Sequence, residues 1–477
     1  MGNNFFTDAG EVINMLFLIY SISIVVVYTS MSAISIYYFF YYRRRNIEIN
    51  YDTLLSAGDA APSVSVIASA YNESATIISC VRALLNLRYF NYDVIVVNDG
   101  STDDTLEKLQ KEFQLQKHSY IVNYKIKTKT VRGVYRSENP IFRKLIVVDK
   151  ENGGKADAMN CGINISYKFY VVCVDVDSIL DRDALLKLVK VITEKEDGKV
   201  VGVGASVHVA NGCKFENGVI KEHVVPKKYF TCMQVVEYLR AFLIGRISLG
   251  QTRSLLLISG ALGIFRKEAI LKVGGYLTST IGEDMELVTR IQEYHYKKKI
   301  PHLMSYIPDP LLWTEVPESV RLLGRQRTRW TRGLIDTLKL HKKLFLNPKY
   351  RSVGLLGYPY FFFFEWMAAI VELTGYVYFF IALILGTTVW STFFFLFVFM
   401  YLFGTTFSFL GIFMNEIGFH VYHKTKDVMR LICYSMLEAF IYHPCIVFWS
   451  VKGNYMYLRR IKSWGVMTRK GFGQEKA

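Results

Sequence analysis

The run of residues 12–42 constrains this chain most, because it contains no charged side chain. About 20 apolar helical residues are enough to span a bilayer, so the run predicts a transmembrane helix with room to tilt. A cleaved signal peptide would begin with positive charge, whereas the residues before this run contain no lysine or arginine. We therefore expect a permanent helix, with the three arginines at 43–45 on its cytoplasmic side.

The composition indicates a membrane protein that also has a folded soluble part. Of the 477 residues, 51% are apolar and 15% are aromatic, which excludes a mainly disordered chain. The net charge of +16 comes from 57 Lys+Arg against 41 Asp+Glu. Much of this charge flanks apolar runs and no nucleic-acid-binding motif occurs, so we expect it to face phospholipid and not nucleic acid. The seven cysteines include no C-x-x-C pair and predict neither a disulfide framework nor a zinc site.

Three further apolar stretches follow, at about 353–390, 391–415 and 429–451. As one helix the first would be about 54 Å long, well beyond a hydrocarbon core of about 30 Å. We expect it to form two elements, either a hairpin that gives five crossings in all or an interfacial helix followed by one crossing. The basic loop at 424–430 and the basic tail after residue 452 both predict cytoplasmic locations.

Two carboxylates, Glu365 and Glu372, lie within the first of these stretches. Intramembrane carboxylates usually face a polar interior and not lipid. Two interpretations stay open from the sequence. The pair contacts Arg or Trp of a neighbouring helix at the cytoplasmic boundary, or it lines a polar channel.

Between the apolar runs, short apolar segments alternate with helical periodicity. The predicted strands are 64–69, 93–97, 145–148 and 170–174, and the predicted helices are 74–87, one that begins at 101–104, and 155–167. Strand, helix and strand repeated in this way predict an α/β domain with a mostly parallel sheet.

Ligands of such sheets bind beyond the carboxyl ends of the strands, which selects the loops 71–73, 98–101 and 175–177. Asp175 and Asp177 follow an apolar strand, where two uncompensated carboxylates would repel each other. An isolated Asp-x-Asp also fits a solvated turn. A hard divalent cation, Mg²⁺ or Mn²⁺, would relieve the repulsion and would suit a nucleoside diphosphate ligand.

Six motifs follow one another along the chain: Ala70-Tyr-Asn-Glu73, Asn98-Asp-Gly-Ser101, Gly153-Gly-Lys-Ala-Asp-Ala-Met-Asn160, Asp175-Val-Asp177, Gly282-Glu-Asp284 and Gln326-Arg-Thr-Arg-Trp330. In this order they resemble the membrane-embedded processive glycosyltransferases of family 2, the cellulose, chitin, hyaluronan and poly-N-acetylglucosamine synthases. The resemblance covers nearly the whole chain and is closest to the poly-N-acetylglucosamine synthases. It implies a GT-A fold, which is a Rossmann-like α/β domain, inserted between transmembrane helices.

This resemblance divides the chain into five parts. They are an N-terminal transmembrane helix with its basic edge (1–50), a cytoplasmic GT-A domain (51–315), interfacial amphipathic helices with the Q-x-x-R-W motif (316–352), transmembrane channel helices (353–451) and a cytoplasmic basic tail (452–477).

The resemblance also implies roles for individual residues. The donor-binding residues would be Tyr71, Glu73, Asp99, Lys155, Asp175, Gln326 and Arg329. The ligand of Mg²⁺ or Mn²⁺ would be Asp177. The acceptor-binding residues would be Trp330, Ser259 and Gly260. A gating segment over the donor would contain Trp464, Thr468 and Arg469, in a tail whose sequence departs from the F-x-V-T-x-K form of cellulose synthases.

Asp284 is the general base that the resemblance implies, with Glu283 beside it, and Gly282 stands where the family's T-E-D motif has Thr. The chemistry needs such a group, because an acceptor hydroxyl has a pKa far above 7 and must lose its proton as the new bond forms. Taken alone, Asp284 also fits a carboxylate at a helix N-terminus, which the helix dipole favours. Arg327 and Arg329 likewise fit a basic cluster at the membrane surface.

We expect an inverting, processive transferase in the inner (plasma) membrane, multi-pass, with its catalytic domain in the cytoplasm. It would add sugars from a UDP-sugar, with UDP-N-acetylglucosamine favoured, to a growing polysaccharide and pass the polymer through its own helices. The lipid bilayer is an expected partner, and the resemblance leaves room for a small membrane partner subunit. Two rivals stay open: single transfer onto a polyprenyl phosphate, and a transport protein that only senses UDP-sugar.

Overall fold

The computed structural model describes residues 2–46, 51, 58, 61–122, 124–194, 198–216 and 219–461. The strands are β1 (Val64–Ala70), β2 (Tyr92–Asn98), β3 (Leu115–His118), β4 (Val131–Ser137), β5 (Leu145–Lys150), β6 (Tyr170–Asp175), β7 (Ser178–Leu180), β8 (Val200–Val209), β9 (Lys214–Glu216), β10 (Val219–Glu222), β11 (Leu262–Arg266) and β12 (Leu303–Thr314).

The helices are α1 (Gly2–Asn46), α2 (Ile77–Leu85), α3 (Thr105–Glu112), α4 (Lys155–Ile165), α5 (Ala184–Glu194), α6 (Tyr229–Leu239), α7 (Ile247–Gln251), α8 (Lys267–Lys272), α9 (Glu283–Lys298), α10 (Val320–Leu340), α11 (Val353–Ile384), α12 (Trp390–Phe419), α13 (Thr425–Met436) and α14 (Glu438–Leu458). Short 3₁₀ turns occupy Pro140–Phe142, Lys342–Leu344 and Pro348–Tyr350. A π-helical segment, Arg240–Arg246, joins α6 to α7.

Ten strands form one mixed sheet in the order β3-β4-β5-β2-β1-β6-β11-β8-β12-β7, and β9 and β10 form a separate antiparallel pair. Only β4, β7 and β11 run against the other strands of this sheet. The predicted α/β class with a mostly parallel sheet is therefore confirmed. The four predicted strands are β1, β2, β5 and β6, which lie side by side at the parallel centre.

Burial explains why these four strands could be recognised from the sequence. Strands β1, β2, β5 and β6 are buried over most of their length, and parallel strands covered on both faces consist of nearly continuous apolar residues. At one side of the sheet, β3 has four residues of which three are exposed, and β4 has only two buried residues among its seven, so both resemble loops in the sequence. The structure therefore extends the predicted sheet at both edges.

Three helices within the described residues are long and apolar enough to cross a membrane: Val12–Asn46 of α1, the whole of α11, and Phe393–Phe419 of α12. Helices α13 and α14 meet the same test only as a pair, and they are bent by 50° at their junction. The described chain thus has three candidate spans, or four if the bent pair counts as one. The alternative with a hairpin and five crossings in all is therefore wrong.

The prediction that residues 353–390 form two elements is also wrong. Helix α11 runs from Val353 to Ile384 without a hairpin, and two π-helical segments, Val353–Gly357 and Phe361–Trp366, interrupt its regular α-helical pattern. A π-helical turn inserts an extra residue and keeps the backbone hydrogen-bonded, so the chain can bend without leaving the helix. The excess length is taken up by one long helix whose start packs on the α/β domain, where a Cβ on Gly357 would meet the carbonyl of Ser254.

The carboxylates of α11 have partners other than those expected. Glu365 accepts a hydrogen bond from the Tyr360 hydroxyl (2.8 Å), and Glu372 pairs with His443 Nε2 of α14 (2.7 Å). The prediction of contacts with Arg or Trp is therefore wrong. Both contacts place polar groups against polar groups within the helix cluster, which is the arrangement that apolar surroundings favour.

Helix α1 is bonded to the α/β domain through polar residues in the second half of its apolar run. The hydroxyl of Tyr42 donates to Asp309 Oδ2 (2.5 Å), and Lys187 pairs with the other oxygen of Asp309 (3.1 Å). Two turns earlier in α1, the Ser35 hydroxyl donates to the backbone carbonyl of Ile244 (2.8 Å). The first membrane helix and the α/β domain therefore form a packed unit.

Candidate active site

The carboxyl ends of β1, β2 and β6 meet at one edge of the sheet. In the strand register Asn98 pairs with Ala70, and Asp175 pairs with Ser69, so the three predicted loops begin at the same level. Parallel strands place their following loops on one side, which is where ligands of such sheets bind. The sequence prediction that these loops lie together agrees with this register.

The first loop carries Tyr71 and Glu73, and it is joined to the second loop. Tyr71 is 49% exposed. The Asn72 backbone N–H donates to Ser101 Oγ (3.0 Å), and the Thr76 hydroxyl donates to Glu73 Oε2 (3.0 Å). An aromatic face is therefore open to solvent at the edge of the sheet, beside a fixed carboxylate.

The carboxylate of Asp99 is buried and is bonded within the protein. Lys150, whose side chain is completely buried, pairs with Asp99 (2.5 Å) and with Asp157 (2.7 Å). The backbone N–H groups of Gly153 and Gly154 donate to the two oxygens of Asp99 (3.0 and 2.7 Å). Burial alone would lower the pKa of Lys150, but the hydrogen bonds from its ammonium group to Asp157 and Asp99 outweigh burial and raise the pKa. We call Asp99, Lys150 and Asp157 the loop-anchoring cluster.

Lys155 is the first residue of α4 and pairs with Asp175 at the end of β6 (2.5 Å). Its Nζ also lies 3.4 Å from the carbonyl oxygen of Gly260. Burial lowers the pKa of Lys155, but the nearby carboxylates of Asp175, Glu283 and Asp284 together raise the pKa above its usual value. The ammonium group is therefore charged and lies among three acidic side chains.

Asp177 is buried directly after β6, and the Ser178 hydroxyl donates to its Oδ1 (3.1 Å). Together with Asp175 it supplies carboxylate oxygens at the carboxyl end of a strand. Hard divalent cations such as Mg²⁺ and Mn²⁺ prefer such oxygen ligands, and they often take only one or two carboxylates, with water and phosphate completing the shell. The donor set of these two residues therefore fits the predicted metal.

Asp284 is held at the start of α9 from two sides. The Gly260 backbone N–H donates to Oδ2 (3.1 Å), and the Met285 N–H donates to Oδ1 (2.8 Å). Glu283 beside it is buried, and burial raises the pKa of Glu283; the charge of Asp284 adds to the rise, whereas Lys155 opposes it. These two adjacent carboxylates thus differ in burial, and Asp284 is the more exposed of the two.

Helix α10 carries the Q-x-x-R-W residues along the same site. The charge of Arg329 is close enough to Glu283 to act against the rise in that residue's pKa. Within the described part of the chain, Gln326 Oε1 is buried and has no hydrogen-bond partner. The indole of Trp330 is 41% exposed, and the Arg327 guanidinium lies over its ring at 4.3 Å. The helix therefore offers a cation, an amide oxygen and an open aromatic surface.

Arg327 is buried within the protein, so the interpretation of this residue as part of a basic surface cluster is wrong. Its guanidinium is buried and forms a two-pronged ion pair with Glu237 of α6 (2.5 and 2.7 Å). The hydroxyl of Tyr442 donates to the same carboxylate (2.5 Å). Burial opposes the charge of Arg327, but Glu237 outweighs it and raises the pKa further. This contact joins α10 to α6 and to the start of α14.

Several residues of the site were missed by sequence reasoning. Lys150 had a signal that could have found it, since a lysine at the end of an apolar strand must be paired if the strand is buried. Glu237 and Tyr442 had no such signal, because their partner Arg327 lies far away in the sequence. The predicted gating residues Trp464, Thr468 and Arg469 lie outside the described residues. The described chain reaches Ile461, whose carbonyl accepts a hydrogen bond from Arg332 of α10 (2.6 Å).

The fold and this site define a glycosyltransferase. Residues 65–256 match the family described as "Glycosyl transferase family 2", and residues 170–415 match "Glycosyl transferase family group 2". The second match covers more than half of the chain, so this protein belongs to family 2 of the glycosyltransferases. The predicted family and enzyme class are confirmed.

Comparisons with individual proteins agree with this family. Over 278 residues the chain is 32% identical to "Poly-beta-1,6-N-acetyl-D-glucosamine synthase" of Staphylococcus aureus (strain COL), which is 58% of this chain and 55% of that protein. It is 30% identical over 273 residues to the protein of the same description from Staphylococcus epidermidis, with 57% and 54% covered. The chain thus spans about half the length of the curated relatives it matches.

A solved structure supports the fold independently. It is the mannosyltransferase PcManGT from Pyrobaculum calidifontis, in complex with GDP-Man and Mn²⁺. The TM-score is 0.51 at 16% sequence identity, and the alignment covers 92% of this chain and 99% of the other. At this identity the likeness extends to the fold alone.

Proposed function

We propose that this protein is a processive, inverting transferase that polymerises N-acetylglucosamine from UDP-N-acetylglucosamine into a β-linked polysaccharide. The observation that carries the proposal is the convergence of Lys155, Asp175 and Asp284 at the carboxyl edge of the sheet, with α10 beside them. The choice of donor is supported by the relatives, which are described as poly-β-1,6-N-acetylglucosamine synthases.

Asp284 accepts the proton of the acceptor hydroxyl in this proposal. The acceptor oxygen bonds to the anomeric carbon of the donor while the bond from that carbon to the diphosphate oxygen breaks. The proton passes to Asp284, and UDP leaves with the electron pair. Because one displacement occurs at the anomeric carbon, the configuration inverts. The two N–H groups that hold Asp284 fix its carboxylate in one orientation, which general-base catalysis requires.

Cationic and polar groups stabilise the charge that develops on the leaving diphosphate. Lys155 and Arg329 are the cations of this chain that we assign to that task, since fixed charges in a partly buried site are stronger than in water, and Gln326 would contribute through its amide N–H groups. Asp177, with Asp175, would hold Mg²⁺ or Mn²⁺. That cation supplies positive charge to the diphosphate when it is bound. Tyr71, Glu73 and Asp99 complete the proposed donor side.

The acceptor sugar lies on Trp330 in this proposal. Its indole is the exposed aromatic surface of α10, and a flat apolar ring suits the apolar face of a pyranose. Gly260 and Ser259 border the same space, because the Gly260 N–H reaches Asp284. A chain held on this surface after each transfer stays in place for the next one.

We further propose that the catalytic domain lies on the cytoplasmic side and that the bent pair α13–α14 does not cross the membrane. The pair begins at the catalytic domain, where Lys424 meets Glu222 (2.5 Å). It ends at α10, where Arg332 meets the carbonyl of Ile461. Both ends therefore lie on one side, which agrees with the positive charge of the loop and the tail. Three crossings then place the N-terminus outside.

A labelling experiment tests this topology. Single cysteines in place of Thr388, His423 and Ile461, in a chain whose seven native cysteines are all replaced by Ser or Ala, would be treated with a membrane-impermeant maleimide on intact cells. We expect labelling at position 388 alone before the cells are opened, and at all three positions afterwards. Labelling of position 461 on intact cells would mean that the bent pair crosses.

The full-length protein in detergent or nanodiscs, with Mg²⁺ or Mn²⁺, tests the activity directly. We expect UDP release and a growing polymer from labelled UDP-N-acetylglucosamine, and neither from the Asp284→Asn variant. The exposed Glu268→Gln variant is the matched control, because the ion pairs of Glu268 within the described residues are with Arg266 and Lys272, of and beside its own helix. A product of one sugar on a lipid phosphate, or UDP-sugar binding without release of UDP, would contradict polymerisation.

A further inference from the structure

Two glycines bring the start of α9 and the middle of α10 into backbone contact. A Cβ atom on Gly282 would lie 2.9 Å from both Cα and the carbonyl oxygen of Gly333. A Cβ on Gly333 would lie 2.9 Å from Cα and 3.0 Å from N of Gly282. The opposing atoms are backbone atoms and not the end of a flexible side chain, so they can move only if one of the helices moves. Neither position has room for any side chain.

This contact joins the proposed base to the proposed leaving-group cation. Asp284 is two residues after Gly282, in the first turn of α9. Arg329 is four residues before Gly333 on α10, and residues at this spacing share one face of a helix. The distance between the Asp284 carboxylate and the Arg329 guanidinium is therefore set by how closely the two backbones approach.

A third glycine holds Asp284 from the opposite direction. The Gly260 N–H donates to Asp284 Oδ2, and a Cβ on Gly260 would lie 3.1 Å from that oxygen and 3.2 Å from Cβ of Asp284. A displacement of α9 away from α10 would thus change the geometry of this hydrogen bond. The carboxylate has little freedom to compensate by rotating, because its other oxygen accepts from the Met285 N–H.

We propose that Gly282 and Gly333 are positioning residues that fix Asp284 relative to Arg329. The inference rests on the proposed function for the roles of those two side chains. It explains why Gly282 stands where the resembling family has Thr: in this chain the space for a side chain is filled by the backbone of Gly333. Restoring Thr is accordingly expected to damage the enzyme and not to improve it.

The test compares Gly333→Ala, Gly282→Ala and Gly282→Thr with a control on the same helix. Gly324 is nine residues before Gly333, which is about two and a half turns and hence the opposite face of α10. A Cβ on Gly324 would meet the Trp449 indole of α14 at 2.6 Å. Gly324→Ala therefore strains α10 by a similar contact without pressing on α9, and its partner is a side chain that can rotate.

We expect the three variants at Gly282 and Gly333 to lower kcat for UDP release by roughly a hundredfold, since a displacement of about 1 Å can cost that much. The dissociation constant for UDP is expected to stay within about twofold of wild type. Gly324→Ala is expected to retain kcat within about threefold at a matched loss of thermal stability. A kcat near wild type for Gly282→Thr, or an equal loss in Gly324→Ala, would overturn the inference.

Amide hydrogen exchange gives a second readout that needs no activity. The amide of Gly260 is expected to exchange at least tenfold faster in Gly333→Ala than in wild type, with Gly324→Ala unchanged, because its bond to Asp284 is lost. Unchanged exchange would overturn the inference. If the wild type itself released no UDP from any UDP-sugar, the proposed function would fail, whereas this exchange result would still decide whether the glycines position Asp284.

Discussion

Two acidic clusters at the same edge of the sheet contain similar residues and differ in what binds them. In the loop-anchoring cluster, Asp99 has a buried lysine and two backbone N–H groups as partners. In the second cluster, around Asp284, the carboxylate has two backbone N–H groups and is partly exposed. Lys155 lies beside it and shares its charge with three carboxylates.

This difference in partners indicates a structural role for Asp99 and leaves Asp284 free to take part in the reaction. A buried carboxylate that accepts from a lysine and two backbone N–H groups fixes a loop, and here Asp99 fixes the Gly153–Gly154 loop that leads into Lys155. A carboxylate that keeps open capacity can accept a proton from a substrate. Asp99 of the Asp-Gly-Ser motif and Asp284 of the Glu-Asp motif are therefore the same type of side chain in different surroundings. The donor role of Asp99 remains a prediction, and its present partners indicate that it acts at least through the loop.

The largest effect expected from this contrast is in Asp284→Asn. Loss of the proposed base should lower kcat by roughly 10²–10⁴-fold, because the amide cannot take a proton. UDP binding should be retained, since Asp284 is assigned to the acceptor hydroxyl and not to the nucleotide. Single-turnover UDP release and calorimetric UDP titration measure the two quantities. A rate within a few fold of wild type would remove Asp284 from the base role.

Lys150→Met should instead act on stability. It leaves the carboxylates of Asp99 and Asp157 buried without their cation, which typically costs about 3–5 kcal/mol. Thermal unfolding in detergent should show a midpoint several degrees lower. The exposed pair of Lys108 with Asp104 provides the control, and Lys108→Met should hardly shift the midpoint. Equal midpoints for the two variants would mean that the loop-anchoring cluster does not stabilise the fold.

Lys155→Met tests the residue that lies between the two clusters, after the loop that Asp99 fixes and beside Asp284. The variant removes a cation that we assign to the leaving diphosphate, so kcat/KM for the donor should fall roughly ten- to a hundredfold, or about 1.4–2.7 kcal/mol. The thermal midpoint should change less than in Lys150→Met, because Lys155 is partly exposed. Steady-state kinetics over a range of donor concentrations measure the effect. The surface variant Lys272→Met should leave kcat/KM unchanged.

The smallest effect concerns pH. Burial raises the pKa of Glu283 above its usual 4.5, so the folded protein holds this proton more tightly than the unfolded chain does. The contribution to stability is therefore complete below about pH 4.5 and is lost as the pH rises through the raised value. Glu283→Gln cannot lose a proton, and its thermal midpoint should decline less over that range. The exposed Glu138→Gln should follow the wild type; if Glu283→Gln does so as well, the pKa of Glu283 is not raised.

Much of the fold could be predicted, and the reasons are local. Strands β1, β2, β5 and β6 consist of apolar residues because both of their faces are covered, and each ends in a polar motif. Helix α4 begins at Lys155 as predicted, and helix α9 begins at Glu283, so Asp284 does lie at a helix N-terminus. The sequence did not predict the edge strands β3 and β4, whose pattern resembles loops, nor the continuity of α11, where two π-helical segments take up length that suggested a hairpin.

The candidate site divides in the same way. The identities of Lys155, Asp175, Asp177 and Asp284 follow from motifs that are continuous in the sequence, and so does their location at strand and helix ends. The burial of Asp99 could not be predicted from its motif, because its hydrogen-bond partners come from β5 and the loop after it. The same holds for Arg327, whose partner Glu237 lies on α6.

The amino-acid sequence by itself determined the apolar helices, the parallel centre of the sheet and the glycosyltransferase family. Each of these depends on the periodicity or order of residues along the chain. Only the tertiary structure decided that Asp99 is enclosed, that Arg327 is buried against Glu237, and that Gly282 meets Gly333. Hydrogen bonding and close packing depend on atoms that the fold brings together from distant segments, and no local pattern records how near they come.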